Sequence, residues 1–195
     1  MSAAPFPRYP SEHGYNGLRM TADEFLALGE TQEDYELIDG VVFMSPSPFP
    51  DHNEIENQIG HQLARFAEGS GKVRIFPETD IRLTSGKVYR PDISAYLADR
   101  LKGKVRHLTT PPDLVVQILS PGTKSLDLIT KRDDYERFGV GEYWVLDPED
   151  ATLRVWRRSG VHLLQAAVDG DRVPCAAIPG FALDLVPIRR MAAGE

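Results

Sequence analysis

Leu114 to Leu119 (LVVQIL) is an apolar run interrupted by one amide, Gln117, and followed at once by Ser120-Pro121-Gly122. Strand alternation sets Val115, Gln117 and Leu119 on one face and Leu114, Val116 and Ile118 on the other. A buried amide without a partner is costly, so either something satisfies Gln117 or it faces a site. Two other polar groups stand in similar tension with their surroundings. Asp92 follows Pro91 and heads the β-rich run Ile93-Ser94-Ala95-Tyr96, and the proline removes a ladder donor and marks an edge, an end or an irregularity. Asp127, Lys131 and Tyr135 are spaced four apart and share one helical face. A helix returning over the sheet after Gln117 would bring Lys131 over the strand ends, beside Asp92.

A carboxylate, an amide carbonyl and an ammonium converging in this way suit phosphodiester hydrolysis. That chemistry uses a hard cation held by carboxylates and other oxygens, and a cationic group that orients water or stabilises the transition state. Asp92 would bind the metal and Gln117 would offer a neutral oxygen. Glu36, set among Tyr35, Leu37 and Ile38, would complete the shell, while Glu78 and Asp80 are weaker candidates. Plainer readings compete with each assignment: Asp92 capping a turn or pairing with Arg90, Gln117 as a satisfied core amide, Lys131 as a solvated helix lysine, Glu36 facing water. His52 opens a helix after a proline-rich loop and stands either at the mouth of a site or merely near a helix end. Trp144, Trp156, Tyr143 and Tyr135 read as core in preference to base-stacking surface. Ser120 has no triad pattern around it, and the chain carries no glycine-rich phosphate loop.

The elements that must position these groups follow from periodicity. Thr21 caps a short helix with an acidic first turn. Asp39-Gly40, between two β-rich runs, reads as a hairpin. His52 to Ala67 places Ile55, Ile59, Leu63 and Phe66 at helical spacing. Val73–Leu83 and Val88–Leu97 read as the two arms of a second hairpin, turning at Ser85-Gly86-Lys87. Strand Leu114–Leu119, helix Leu126–Phe138 and strand Glu142–Leu146 form a crossover pattern, and a last hairpin surrounds Ser159-Gly160. The fold class is α/β, a mixed β-sheet flanked by α-helices. Residues 1–18 read as a flexible N-terminal arm, 19–188 as a single domain, and 189–195 as a C-terminal tail.

With 195 residues, 42% hydrophobic and 26% charged, the chain suits one globular core. A formal charge of −7 argues against a protein that coats nucleic acid non-specifically, since that affinity comes from Lys and Arg on phosphates. The basic stretch RLKGKVRH (100–107) reads as a solvated loop. A lone cysteine, Cys175, excludes an intrachain disulfide and a paired-cysteine zinc site. Without a signal-peptide core or a membrane-length apolar run, the expected location is the cytoplasm, with no membrane partner.

Taken together, YELIDG (35–40), SPSPFPDH (45–52), RPD (90–92), PPDLVVQILSP (111–121), the DxxxKxxxY spacing of 127–135 and GVGEYWVLDP (139–148) resemble the Uma-two family. That family consists of bacterial restriction-endonuclease-like proteins of the PD-(D/E)xK nuclease superfamily. The likeness spans roughly residues 20–185. It implies a restriction-endonuclease-like core and DNA cleavage dependent on Mg²⁺ or Mn²⁺, with Asp92 as first metal ligand and Glu36 as a supporting acid. The family's usual acid at position 117 is here glutamine, and its lysine two residues on is here Leu119, which leaves Lys131 as the replacement. The resemblance also implies a homodimer. Loss of the acid at 117 leaves open a catalytically degenerate nucleic-acid-binding or dimerising module of the same fold, and a metal phosphohydrolase acting on small nucleotides is a third reading.

Overall fold

The Asp39-Gly40 turn joins β1 (Tyr35–Ile38) to β2 (Val41–Met44) in antiparallel register, Ile38 opposite Val41. Both turn residues have positive φ, 50° and 76°, the backbone that matches the right-handed twist of a two-residue hairpin. The structure is a computed structural model and describes residues 14–29, 31–45 and 47–194. Helix α1 (Ala22–Leu26) precedes the hairpin and is closed by a reciprocal capping box between Thr21 and Glu24, which satisfies two otherwise orphaned donors.

Helix α2 (Pro50–Ser70) carries Ile55, Ile59 and Leu63 on its buried stripe and ends at Gly71 in the left-handed region. The two β-rich runs that follow are not two long arms. They divide into β3 (Val73–Pro77), β4 (Ile81–Thr84), β5 (Lys87–Tyr89) and β6 (Ile93–Leu97). The turn between β4 and β5 is where the sequence places it, but β3 pairs with β6 while β4 and β5 pair in another sheet. Each run breaks at a backbone irregularity. Glu78 takes a positive φ of 39°, and Pro91 offers no N–H. The two breaks lie side by side, for the Glu78 N–H donates to the Asp92 carbonyl at 3.0 Å.

Strands β7 (Leu114–Ile118) and β8 (Glu142–Asp147) run parallel, joined through a π-helical segment Leu126–Lys131 that continues as α3 (Arg132–Phe138). A long hairpin, β9 (Thr152–Ser159) and β10 (His162–Ala166), follows; then come a short pair, β11 (Arg172–Pro174) and β12 (Ala182–Asp184), and helix α4 (Val186–Ala192). The strands make a small sheet in the order β2-β1-β5-β4, a large mixed sheet in the order β10-β9-β8-β7-β6-β3, and the β11-β12 pair.

Alternation along β7 sorts the cores as its sequence requires. Leu114, Val116 and Ile118 join α2, α4 and β11-β12 on one face of the large sheet. Val115 and Leu119 face the other way, toward Tyr135 of α3 and toward Ile81, Leu83 and Tyr89 of the small sheet. A third cluster packs α1 on the outer face of the small sheet through Tyr35, Leu37, Val42 and Val88.

The chain ends differ from the anticipated boundaries. Residues 1–13 lie outside the described part of the anticipated arm. Its remainder is tied to β2, since the Gly17 N–H donates to the Val42 carbonyl at 2.7 Å and the Val42 N–H to the Leu18 carbonyl at 2.8 Å. The anticipated tail begins inside α4, where Ile188 is fully buried and Met191 and Ala192 pack on the main core. Arg189 pairs with Asp171, so this apolar, ion-paired turn belongs to the domain.

Candidate functional site

The site lies where the chain passes from the small sheet to the large one. The last ladder pair of β6 with β7 is Ile93 opposite Val116. One step further, Asp92 replaces a backbone partner with its side chain, and its Oδ2 accepts the Ile118 N–H at 2.5 Å. Asp92 is thereby clamped at the end of β7, beside Gln117. Among the described residues its Oδ1 has no backbone donor, and it lies 3.6 Å from Nε2 of His52, which the first turn of α2 carries. The bland alternative for Asp92, a pair with Arg90, does not form. Arg90 instead binds Asp80 at 2.8 Å and Asp34 at 2.5 Å.

Gln117 is 7% exposed, and among the described residues its Oε1 has no hydrogen-bond partner. The amide is therefore not a satisfied core group. It lines a small cavity of about 70 Å³ together with Glu36, His52, Glu78, Asp92 and Lys131. Gln117 reaches it from the face of β7 opposite the α2 core, as the alternation of the strand dictates.

Lys131 and Glu36 meet in this wall, but as partners of each other. The Lys131 ammonium lies 2.9 Å from Glu36 Oε2 and 3.1 Å from Asp127 Oδ1, with the Tyr89 ring 5.7 Å away. Glu36 Oε1 accepts the Arg90 N–H at 2.8 Å. Alternation in β1 turns Tyr35 and Leu37 to the outer cluster and Glu36 inward, so Glu36 does not face water. The π-helical turn keeps Asp127 and Lys131 paired and buried, while Tyr135, a turn later, enters the core. Both Glu36 oxygens are thus engaged, which separates Glu36 from the uncommitted oxygens of Asp92 and Gln117.

Electrostatics follow from this crowding of acids. Burial pushes the Asp92 carboxyl up to about 8, with Asp127 and Glu36 adding to the rise and the Ile118 N–H and Lys131 opposing it. Burial alone would lower Lys131, but Glu36 and Asp127 outweigh it and hold the ammonium above the ordinary lysine range. Glu56, half-buried on α2, is pushed to about 7 by burial and then by Asp92 and Glu78, with His52 pulling down. Glu56 is an acid coupled electrostatically to Asp92 and Glu78 that sequence reasoning missed. The signal was its spacing of four from His52 on one helix face.

Among the described residues no group of three or more His, Cys, Asp and Glu side chains is arranged to hold a metal ion. The fit to a hard cation rests on a leaner set: one carboxylate oxygen of Asp92 and the orphaned Gln117 carbonyl. These donors suit Mg²⁺ or Mn²⁺, because a Mg²⁺ ion retains several waters and takes only one or two protein carboxylates. They do not suit a closed protein cage. Tyr135, Tyr143 and Trp156 form a chain of ring contacts in the second core, with Trp144 buried on the other face, so the aromatics are core. Arg100 of the basic stretch binds Asp113 at 2.5 Å.

Comparison with known proteins bears on this arrangement. No curated protein matches the chain. A crystal structure from Anabaena variabilis, described as that of a putative nuclease belonging to DUF820, superposes with a TM-score of 0.75 at 22% identity. The match covers 89% of this chain and 98% of that one, and the shared architecture is the restriction-endonuclease-like fold. Among the described residues, no helix is long and apolar enough to cross a membrane. The model of the Uma2 family, whose description reads "putative restriction endonuclease", matches residues 22–186. The chain belongs to the Uma2 family.

Proposed function

We propose that this protein is a divalent-metal-dependent DNA endonuclease of the PD-(D/E)xK type, hydrolysing phosphodiester bonds at the Asp92–Gln117 pocket. The observation that carries this reading is the unpartnered Oε1 of buried Gln117 in the same wall as Asp92, whose carboxyl is driven toward protonation by burial among acids. Asp92 Oδ1 and Gln117 Oε1 would hold Mg²⁺ or Mn²⁺. When bound, the cation neutralises charge on the scissile phosphate and makes water more acidic.

The chain's own groups divide the remaining work. Lys131 stays protonated under its two carboxylates, so it serves as a fixed positive charge and not as a proton acceptor. An ammonium has three donors. Ion pairing with Glu36 and Asp127 leaves at least one of them to orient water or a phosphate oxygen. Glu36, first read as a metal ligand, becomes the group that holds Lys131 in place. His52 lines the same pocket with its Nε2 3.6 Å from Asp92 Oδ1, where the imidazole helps to fix that carboxylate.

Cleavage of supercoiled and single-stranded DNA with Mg²⁺ or Mn²⁺ tests the proposal on wild type, Asp92→Ala and Gln117→Glu. Cutting by wild type that Asp92→Ala abolishes without loss of fold supports it, and cutting retained by Asp92→Ala refutes it. The second reading, a catalytically degenerate nucleic-acid-binding or dimerising module, is favoured by the lean donor set. Cleavage by no variant under any metal selects it. For either reading we propose a homodimer, on the edge strand β10 with Leu164 56% exposed and Val161, just before it, 72% exposed.

A further inference from the structure

A second cavity, of about 430 Å³, shares His52 and Ser120 with the candidate site and opens beside it. Its apolar walls are Phe49, Pro121 and Pro148, and its polar rim includes Asp147, Glu149 and Lys124. Phe49 ends the loop before α2 and is 62% exposed, an aromatic surface left uncovered among the described residues. Lys124 is already paired with Asp147 at 2.8 Å, and Asp51 joins the lining, so the rim is net acidic. An anionic phosphate is repelled there, whereas a neutral heteroaromatic ring carrying amino groups is favoured by both the ring and the carboxylates. His52 and Ser120 line both cavities, so a strand whose phosphate lies at the candidate site can reach the second cavity with an adjoining base.

We propose that this cavity is a nucleobase subsite, which receives one unpaired base adjoining the scissile phosphate, stacks it on Phe49 and takes its exocyclic amine on the acidic rim. This rests on the nuclease reading above and gives it a substrate class: DNA strands with an unpaired base at the cleavage point. A base inside a duplex has both faces stacked and its edge paired, so it cannot present a face to Phe49 without leaving the stack. Stacking on one aromatic ring tolerates any base, and the rim favours adenine, cytosine and guanine over thymine, which lacks an exocyclic amine.

The test uses labelled single-stranded oligonucleotides in which one abasic position is walked along the strand. Binding is read by fluorescence anisotropy in EDTA at low salt, and cleavage is read separately in Mg²⁺ or Mn²⁺. Wild type is expected to lose about tenfold in affinity at one abasic position and to cut single strands in preference to the matching duplex. Phe49→Ala, a change at an exposed side chain, should lose the same tenfold on intact strands and become indifferent to the abasic site, while Phe49→Tyr retains wild-type behaviour. Abasic sensitivity that persists in Phe49→Ala, or that no position shows, overturns the subsite. If nothing is cut yet the position-specific loss appears and vanishes in Phe49→Ala, the subsite stands and the nuclease reading falls. If single strand and duplex are cut equally with no abasic effect, the nuclease reading stands and the subsite falls.

Discussion

Asp92→Asn should stabilise the protein at pH 8 and leave it nearly unchanged near pH 4. In the folded protein the carboxyl titrates at about 8 against an ordinary 3.8. Below the ordinary value both folded and unfolded states hold the proton. Between the two values the unfolded chain has lost it and the folded protein has not, so stability falls as pH rises and levels off above about 8. The full shift, at about 1.36 kcal/mol per unit, sets a ceiling of about 6 kcal/mol. The side chain keeps 13% exposure to the pocket, and solvent relaxation there reduces the expected gain to about 2–3 kcal/mol at pH 8. Asparagine retains an oxygen for the Ile118 N–H, so the clamp on β7 survives the change. Removing the charge also relieves Glu56, which Asp92 helps to push up. Urea denaturation in EDTA at pH 4, 6, 7 and 8 gives the difference directly, and for a domain of this size it corresponds to roughly 5–10 °C in Tm at the upper pH. Adding Mg²⁺ at ten times its Kd should raise wild-type stability by about 1.4 kcal/mol and leave Asp92→Asn unmoved. Parallel stability curves across this pH range, or a variant less stable at pH 8, would refute the electrostatic account of the site.

Three further outcomes test the surrounding wall. Gln117→Glu adds a carboxylate beside Asp92 and should cost about 1–2 kcal/mol in EDTA at pH 8, with a larger rise in Tm on adding Mg²⁺ than wild type shows; an equal or smaller rise contradicts the assignment of Oε1 as a donor. Lys131→Met leaves Glu36 and Asp127 buried without their cation and should cost about 3–5 kcal/mol by chemical denaturation, of which adding Glu36→Gln restores a part; additive losses in that double variant rule out the pair as drawn. Tyr135→Phe removes a buried hydroxyl that has no hydrogen-bond partner among the described residues, so Tm should stay level or rise by the equivalent of about 1 kcal/mol, and a clear loss would reveal a missed partner.

What local physics governs was legible in the residues themselves. Alternation told the two faces of β7 apart and marked Gln117 as the odd member of its face. The Asp39-Gly40 pair specified its hairpin because few residues accept two consecutive positive φ angles, and the 3.6-residue period of Ile55, Ile59 and Leu63 specified α2. The convergence of Asp92, Gln117 and Lys131 on one pocket was also readable, since a proline break, a strand amide and a helix face are local signals pointing to one end of a crossover.

The tertiary structure decided which atoms remain free. Whether Glu36 completes a metal shell or neutralises Lys131 depends on how the small sheet docks against the π-helical turn, a contact between segments almost a hundred residues apart that no periodicity encodes. The same is true of Glu56, which feels the Asp92 charge only because α2 packs beside the β6–β7 end, and of the split of the middle β-rich runs between two sheets. That split turns on Glu78 taking a left-handed backbone, a choice that side-chain pattern does not reveal and that the hydrogen bond to the Asp92 carbonyl holds in place. Residue types thus set the chemistry available, and packing selected which of those groups keep an uncommitted lone pair, because a buried carboxylate goes first to whatever donor or cation the fold brings within reach.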